Sequence, residues 1–96
     1  MNILVVEDER NLADAIVHII EGDAQHADAV YDGRAGLRAA LSGAYDAVVM
    51  DIMLPGIDGY ELCRRIRASY DTPILFLSAR DGEVNKIIGL ELGADD

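Results

Sequence analysis

Acidic residues follow two short apolar runs of the chain, in positions that suit metal and phosphoryl chemistry. The triplet Glu7-Asp8-Glu9 comes directly after the run at 3–6, and Asp51 comes directly after the run at 47–50. If both runs are neighbouring parallel strands, Glu7, Asp8 and Asp51 converge in one crevice. Like charges that close repel and raise each other's pKa, and Mg²⁺, which takes oxygen ligands, relieves the repulsion. The cluster therefore predicts an Mg²⁺ site that also receives a phosphoryl group.

Structural roles are the alternative for each of these polar residues. Asp8 or Glu9 could cap a helix that begins after the first strand. Ser78 follows the apolar run at 73–77, and its hydroxyl could donate a hydrogen bond to a phosphoryl oxygen. Composition alone favours an ordinary turn hydroxyl at Ser78. For the three acids taken together at the ends of two strands, we favour function over capping.

Strands and helices alternate along the sequence. Strands are predicted at 3–6, 27–31, 47–50 and 73–77, and helices at 11–21, at 34–41, after Asp58 and after Asp81. This alternation predicts a parallel sheet with right-handed crossovers. The expected fold is an α/β, flavodoxin-like, doubly wound sheet with strand order 2-1-3-4. In such sheets ligands bind beyond the carboxyl ends of the strands, here between the first and third strands.

Local patterns predict the ends and faces of individual helices. Asp58 and Glu61 have the spacing of a capping box. Apolar residues at helical spacing predict the inner face of the first helix: Leu12, Ala15, Ile16, Ile19 and Ile20. The same spacing predicts the inner face of the third helix: Leu62, Cys63 and Ile66. Cys63 is therefore expected to be buried in the core of the domain. The arginines of that helix are expected to form a solvated face, with an acidic partner as the alternative: Arg64, Arg65 and Arg67.

The composition limits the class of protein. The chain has 96 residues, a net charge of −10 and one cysteine, so a single domain over 1–96 without an internal disulfide is expected. No apolar stretch approaches the roughly 18 residues that a membrane helix needs, and no signal peptide is apparent. We therefore expect a cytoplasmic domain that does not contact a membrane. The acidity argues against nucleic-acid binding by this segment.

Four segments resemble the receiver (phosphoacceptor) domains of bacterial two-component response regulators. Residues 3–9 resemble the opening strand and its acidic pair, and residues 48–59 resemble the segment around the phosphorylated aspartate. Residues 77–80 resemble the strand end with the switch hydroxyl, and residues 89–96 the end of the fourth helix. The likeness is greatest to the class whose output is a winged-helix DNA-binding domain.

The resemblance implies a role for each matching residue. Asp51 would take a phosphoryl group from the phosphohistidine of a sensor histidine kinase. Asp8 would bind Mg²⁺ directly, Glu7 directly or through water, and Met53 through its backbone carbonyl. Ser78 would bond the phosphoryl group and report it to the output domain. The domain would not be an enzyme beyond its own Mg²⁺-dependent phosphorylation and slow autodephosphorylation.

Receiver domains usually continue with a fifth strand and a fifth helix, which residues 1–96 do not include. The lysine and the aromatic switch residue of that strand are therefore absent. We expect a domain that is incomplete at its C-terminus, and a longer chain that continues beyond residue 96 is the alternative. We expect slower or less stable phosphorylation of this chain. Ile74, Phe76 and their neighbours would form an unpaired edge strand, which favours association of two copies.

The sequence leaves two other functions open. Aspartyl-phosphate phosphohydrolases of the haloacid dehalogenase type use Asp and Mg²⁺, but typically carry a second acid two residues after the nucleophile, where this chain has Met53. A receiver-like interaction module that is not phosphorylated would be expected to lose some of the acids. This chain retains Glu7, Asp8 and Asp51, so the phosphoacceptor function is preferred and the interaction module is the main alternative.

Overall fold

Four strands and three helices alternate along residues 1–77, the part of the chain that the structure, a computed structural model, describes. In chain order they are β1 Asn2–Val6, α1 Arg10–Glu21, β2 His26–Val30, α2 Gly33–Ala40, β3 Ala47–Asp51, α3 Gly59–Arg67 and β4 Ile74–Leu77. Each of these elements was predicted from the sequence, and the predicted ends lie within one residue of the observed ones. The predicted fourth helix lies outside the described residues.

The four strands form one parallel sheet in the order β2-β1-β3-β4, which confirms the flavodoxin-like topology. The register of β1 and β3 pairs Val6 with Met50. Glu7 follows Val6 in the chain and Asp51 follows Met50, so the register places Glu7 and Asp51 at the same level of the sheet. Across β3 and β4, Asp51 pairs with Leu77.

The core lies between the sheet and the pair α2 and α3. Alternate residues of a strand point to opposite faces, and the core cluster takes Leu4 and Val6 from β1 and Val48 and Met50 from β3. Leu62 and Ile66 of α3 join the same cluster and are fully buried, as predicted for the inner face of α3. Burial of such side chains contributes about 1.5–3 kcal/mol each relative to exposure.

Close approach of α2 to the sheet depends on Gly36. A Cβ at this position would lie 2.9 Å from Cγ1 of Val6. Because that distance is shorter than carbon atoms tolerate, a larger residue would push α2 away from β1. Gly36 therefore lets α2 pack directly on β1, the strand that precedes Glu7.

Acidic side chains begin all three helices. Glu9 accepts a hydrogen bond from the amide of Leu12, and Asp58 accepts one from the amide of Glu61, each at 2.8 Å. Asp32 caps α2 in the same way. Of the two candidates for the cap of α1, Glu9 is thus the one used. The predicted capping box is wrong in its second half, because the Glu61 carboxylate binds Arg64 and Arg65 of the next turn instead.

The inner face of α1 differs from the predicted stripe. Ala13 is fully buried, whereas Ile19 is 71% exposed and Ala15 is also exposed. Leu12, Ile16 and Ile20 are half-buried. The stripe is wrong at Ala15 and Ile19 because α1 packs on β1 and β2 along a line centred on Ala13, and both positions lie on the far side of that line.

Two smaller predictions concern the edges of the core. Cys63 packs against the core cluster but is only partly buried. Ile74 and Phe76 are buried, with 0% and 4% of their surface exposed. Association through β4 stays a prediction, and it would rest on backbone groups rather than on these two side chains. Among residues 1–77, no helix is both long enough and apolar enough to cross a membrane.

Candidate functional site

Three carboxylates meet where β1 and β3 end. Each of Glu7, Asp8 and Asp51 contributes one carboxylate oxygen, and these three oxygens lie within 4.8 Å of one another. Glu7 is buried, with 3% of its surface exposed, while Asp51 is half-buried and Asp8 is exposed. The convergence predicted from the strand order is therefore observed, and it follows from the matched register of the two strands.

Backbone hydrogen bonds fix Glu7 on both sides. Its amide donates to the carbonyl of Val30 at 3.1 Å, and this bond completes the last pair of β1 with β2, Val6 with Val30. Its carboxylate accepts from the amide of Glu9 at 2.9 Å. Burial raises the pKa of Glu7 to about 7, and the charges of Asp51 and Asp8 add to the rise, while the Glu9 amide opposes it. Near neutral pH this carboxyl is therefore close to half protonated.

Asp51 ends β3, and its carboxylate is held by the chain that follows. Its Oδ1 accepts a hydrogen bond from the amide of Met53 at 3.3 Å. Burial raises the pKa of Asp51, and the charge of Asp8 raises it further. The amides of Met53 and Ile52 act in the opposite direction and favour the ionised form. A cation beside these carboxylates would lower the pKa of Asp51 and so favour the ionised form, which is the one able to act as a nucleophile.

The start of α3 is pressed against the end of β3. The amide of Gly59 donates to the carbonyl of Ile52 at 2.6 Å. A Cβ at Gly59 would lie 2.6 Å from the carbonyl oxygen of Asp51. Only glycine fits at this point without moving the backbone, so the loop between β3 and α3 is closed tightly beside the site.

The donor set fits a hard divalent cation. All three side chains offer carboxylate oxygens, the ligand type that Mg²⁺ prefers, and Asp8 is exposed enough to leave an entry path. Burial raises the pKa of Glu7 and of Asp51, and the charges of neighbouring acids raise both further, so a bound cation would stabilise the ionised carboxylates. The side chain of Met53 is 75% exposed, which is compatible with a contribution through its backbone carbonyl.

Ser78 lies outside the described residues. Its predicted role therefore stays a prediction. The register pairs Asp51 with Leu77, and Ser78 is the next residue of the chain.

The structure contains a second charged region, which is basic and which the sequence pattern does not predict. Between α2 and α3 runs a groove, here called the arginine groove, with Arg34 and Arg38 on α2 and Arg64 and Arg65 on α3. The run on α3 was recognised, but the arginines of α2 were not. The available signal was their i, i+4 spacing, which places both on one side of α2; nothing local indicates that this side faces α3.

The sequence profile of response regulator receiver domains matches residues 3–96. The chain belongs to this family. The response regulator ArlR of Staphylococcus haemolyticus is 46% identical over 95 residues, which cover 99% of this chain and 43% of the relative. ArlR of Staphylococcus aureus is 45% identical over 94 residues, with 98% and 43% covered. This receiver chain thus spans less than half the length of these relatives.

Solved structures give the same fold. The receiver domain of the Francisella response regulator 1452 superposes with a TM-score of 0.80 at 34% identity, covering 99% of this chain and 79% of that one. The response regulator TrrA of Thermotoga maritima, in complex with Mg²⁺-BeF, superposes with a TM-score of 0.78 at 34% identity, covering 83% and 70%. The four-stranded sheet described above is therefore the receiver sheet.

Proposed function

We propose that this receiver domain accepts a phosphoryl group on Asp51 from the phosphohistidine of a sensor histidine kinase. The observation that carries the proposal is the cluster of Glu7, Asp8 and Asp51, whose carboxylate oxygens lie within 4.8 Å of one another at the end of the sheet. A carboxylate is a competent phosphoryl acceptor. Asp51 is the member of the cluster whose backbone belongs to a strand, β3, and its carboxylate accepts a hydrogen bond from the amide of Met53.

Mg²⁺ is the cofactor of this proposal. Glu7, Asp8 and Asp51 would hold the ion with their carboxylates, and Met53 with its backbone carbonyl. When bound, the ion neutralises the charge that collects where a phosphate approaches carboxylates. The complex of TrrA with Mg²⁺-BeF supports this choice of ion by analogy.

The transfer itself asks little covalent assistance of the protein. A carboxylate oxygen of Asp51 forms a bond to phosphorus while the bond from phosphorus to the donor nitrogen breaks, and the electron pair stays on the histidine ring. Phosphoryl transfer is accelerated mainly by positioning and charge stabilisation. The amide of Met53 positions the acceptor carboxylate, and the hydroxyl of Ser78 would donate a hydrogen bond to the acquired phosphoryl group.

In the whole protein the phosphorylated receiver would switch an output domain. The relatives are more than twice as long as this chain and are response regulators. From the resemblance of the sequence to the winged-helix class, we infer an output that binds DNA and regulates transcription. The receiver would contribute no catalysis beyond its own phosphorylation and slow dephosphorylation.

Intact-protein mass spectrometry tests the acceptor. The chain is incubated with Mg²⁺ and acetyl phosphate beside Asp51→Asn and beside Asp23→Asn, a matched change of an exposed aspartate. We expect the mass of one added phosphoryl group on the native chain and on Asp23→Asn, and none on Asp51→Asn. Omission of Mg²⁺ should prevent the addition.

Two results would contradict the proposal. Modification of Asp51→Asn would place the acceptor elsewhere. A folded chain that binds Mg²⁺ but stays unmodified, also when extended by the fifth strand and helix of receiver domains, would favour the interaction module that is not phosphorylated. Circular dichroism of every variant shows whether the chain is folded.

A further inference from the structure

The arginine groove is an open depression between α2 and α3. Its volume is about 590 Å³, and its two walls are formed by helices that pack side by side. Arg34 and Arg38 belong to one wall, and Arg64 and Arg65 belong to the other. All four arginines are exposed. The groove lies apart from the three carboxylates, and none of Glu7, Asp8 and Asp51 lines it.

The groove concentrates positive charge on an acidic chain. Four of the eight basic residues of the chain line it, although the net charge of the chain is −10. Asp58 and Glu61 also line it, so four arginines against two acids leave an excess of two positive charges. Both acids are engaged locally, Asp58 as the cap of α3 and Glu61 with the arginines of α3.

The arginines of α2 differ from those of α3 in this respect. Among residues 1–77, Arg64 and Arg65 form salt bridges with Glu61, whereas neither Arg34 nor Arg38 forms one. Like charges at i, i+4 on a helix repel each other, and the arginines of α3 line the opposite wall of the groove. On exposed side chains this repulsion costs little stability, but it leaves the two guanidinium groups of α2 available to an anionic partner.

Apolar residues lie among these charges. Leu37 of α2 and Ile57 of the loop between β3 and α3 line the groove and are half-buried. A small anion would use the guanidinium groups and leave the apolar residues unused. A protein segment with acidic residues on its sides and an apolar residue towards the groove would use both, as in the helix-in-groove mode of recognition. Arginine is also among the residues that contribute most to protein interfaces.

We propose that the arginine groove binds an acidic protein segment that carries an apolar anchor residue. The argument combines charge complementarity with the apolar residues between the two basic walls. It does not depend on phosphorylation of Asp51, and neither result decides the other.

Fluorescence anisotropy with a designed peptide tests this proposal. The probe is a fluorescein-labelled peptide of about 14 residues, near the shortest length at which an isolated helix forms in water. It consists of Glu with Leu at every fourth position, and a peptide with Gln in place of Glu is its uncharged control. We expect saturable binding of the Glu peptide to the full 96-residue chain and at least about tenfold weaker binding of the Gln peptide. The binding should weaken with added salt.

Charge reversals locate the binding. Arg38→Glu and Arg34→Glu should each raise the Kd about 3- to 10-fold, because each removes an attraction and adds a repulsion. Arg10→Glu is the matched control. It gives the same net charge, but Arg10 stacks on Tyr31 at 4.0 Å and does not line the groove. It should change the Kd less than about twofold. Arg38→Lys keeps the charge and should retain most of the affinity, and thermal unfolding monitors the fold of each variant.

Several outcomes would overturn the proposal. One is no binding of the Glu peptide at concentrations up to about 1 mM. Another is an effect of Arg10→Glu as large as that of Arg38→Glu, which would show non-specific attraction. Tighter binding of a duplex DNA oligonucleotide than of the peptide, lost in Arg38→Glu, would assign the groove to nucleic acid. A dimer in sedimentation analysis that Arg38→Glu dissociates would assign it to a second copy of this chain.

Discussion

The two charged regions of this receiver domain are built in opposite ways. The acidic site stands on the ends of β1 and β3, and its central residue Glu7 is buried. The arginine groove stands on the exposed surfaces of α2 and α3. In the first region, burial raises the pKa of Glu7 and of Asp51. In the second region the carboxyl of Glu61 has a lowered pKa because Arg65 and Arg64 bind it in contact with solvent.

The difference shows what each kind of scaffold can do with charge. Paired strands fix their ends through backbone hydrogen bonds, so three like charges can be held together at a cost. Helix surfaces present flexible side chains to water, where the same charges cost little and stabilise little. Repulsion among the carboxylates at the sheet therefore destabilises the fold until a cation binds. The exposed charges of the groove can instead contact a binding partner.

Stability should respond to pH in opposite directions at the two regions, with the larger response at the acidic site. Between the usual pKa of 4.5 and the folded value of about 7, Glu7 holds a proton that the unfolded chain has lost. The folded state thus binds more protons over this range, and its stability should fall by about 3 kcal/mol as the pH rises from 4.5 to 7 without divalent cations, and level off above 7. Urea unfolding of the native chain and of Glu7→Gln at several pH values, with a chelator, measures the difference.

Glu21→Gln is the control for this experiment, since Glu21 is a surface residue with 46% of its side chain exposed. It should follow the pH profile of the native chain, whereas Glu7→Gln should give a flatter one. Equal profiles for all three chains would mean that burial of Glu7 does not disfavour its charge. For Glu61 the lowered pKa gives the opposite direction, with stability present above its usual pKa and lost as the pH falls.

Mg²⁺ should stabilise the acidic site and leave the arginine groove unaffected. A ligand at ten times its Kd stabilises the folded chain by about 1.4 kcal/mol. Asp8→Asn removes one charged ligand and should weaken Mg²⁺ binding by about 10- to 100-fold. Calorimetric titration and the Mg²⁺ dependence of thermal unfolding measure both effects. Arg38→Glu is the comparison variant, and a loss of Mg²⁺ binding there would show that the two regions are not separate.

Neutralising the proposed acceptor should stabilise the chain when no cation is present. Asp51→Asn removes a charge that raises the pKa of Glu7, so at pH 8 with a chelator we expect a gain of about 1 kcal/mol. With saturating Mg²⁺ the sign should reverse, because the native chain then gains a ligand that the variant lacks. Thermal unfolding in both buffers, beside Asp23→Asn, tests this. Destabilisation in the chelator would show that hydrogen bonds of Asp51 outweigh the repulsion.

The smallest effect is expected where charges are paired in solvent. Arg64 is 70% exposed and pairs with Glu61 one turn earlier. Arg64→Ala should change the free energy of unfolding by less than about 0.5 kcal/mol. Chemical denaturation of this variant beside Arg65→Ala measures it. A loss of more than about 1 kcal/mol in the free energy of unfolding would mean that these ion pairs stabilise the packing of the groove. The two charged regions would then not differ as described.

Most of the fold was predictable because local patterns and backbone geometry agree. The apolar runs of β1 and β3, the acidic helix caps and the alternation of elements fix which strands neighbour each other, and the register then brings Glu7, Asp8 and Asp51 together. The exposure of Ile19 was not predictable, because it depends on the line along which α1 meets the sheet. A helical stripe defines an apolar side only to within a broad arc.

The arginine groove was not predictable for a similar reason. Arg34 and Arg64 are far apart in the sequence and lie on neighbouring walls only because α2 and α3 pack side by side. The failure of the capping box has a different, local origin, because Glu61 has arginines three and four residues later that compete for its carboxylate. The arrangement of Arg34 opposite Arg64 follows from tertiary packing, whereas the positions of the strand ends follow from the backbone.

The tight contact at Gly59 also limits how this chain can change over generations. Glycine is the one residue without a Cβ, so every amino-acid substitution at this codon introduces an atom 2.6 Å from the carbonyl of Asp51. Selection would remove such variants, whatever other substitutions α3 carries. The exposed positions of α2 and α3 carry no such restriction. Descendants of this sequence should therefore diversify their partners along the outer helix surfaces while the junction between β3 and α3 stays as it is.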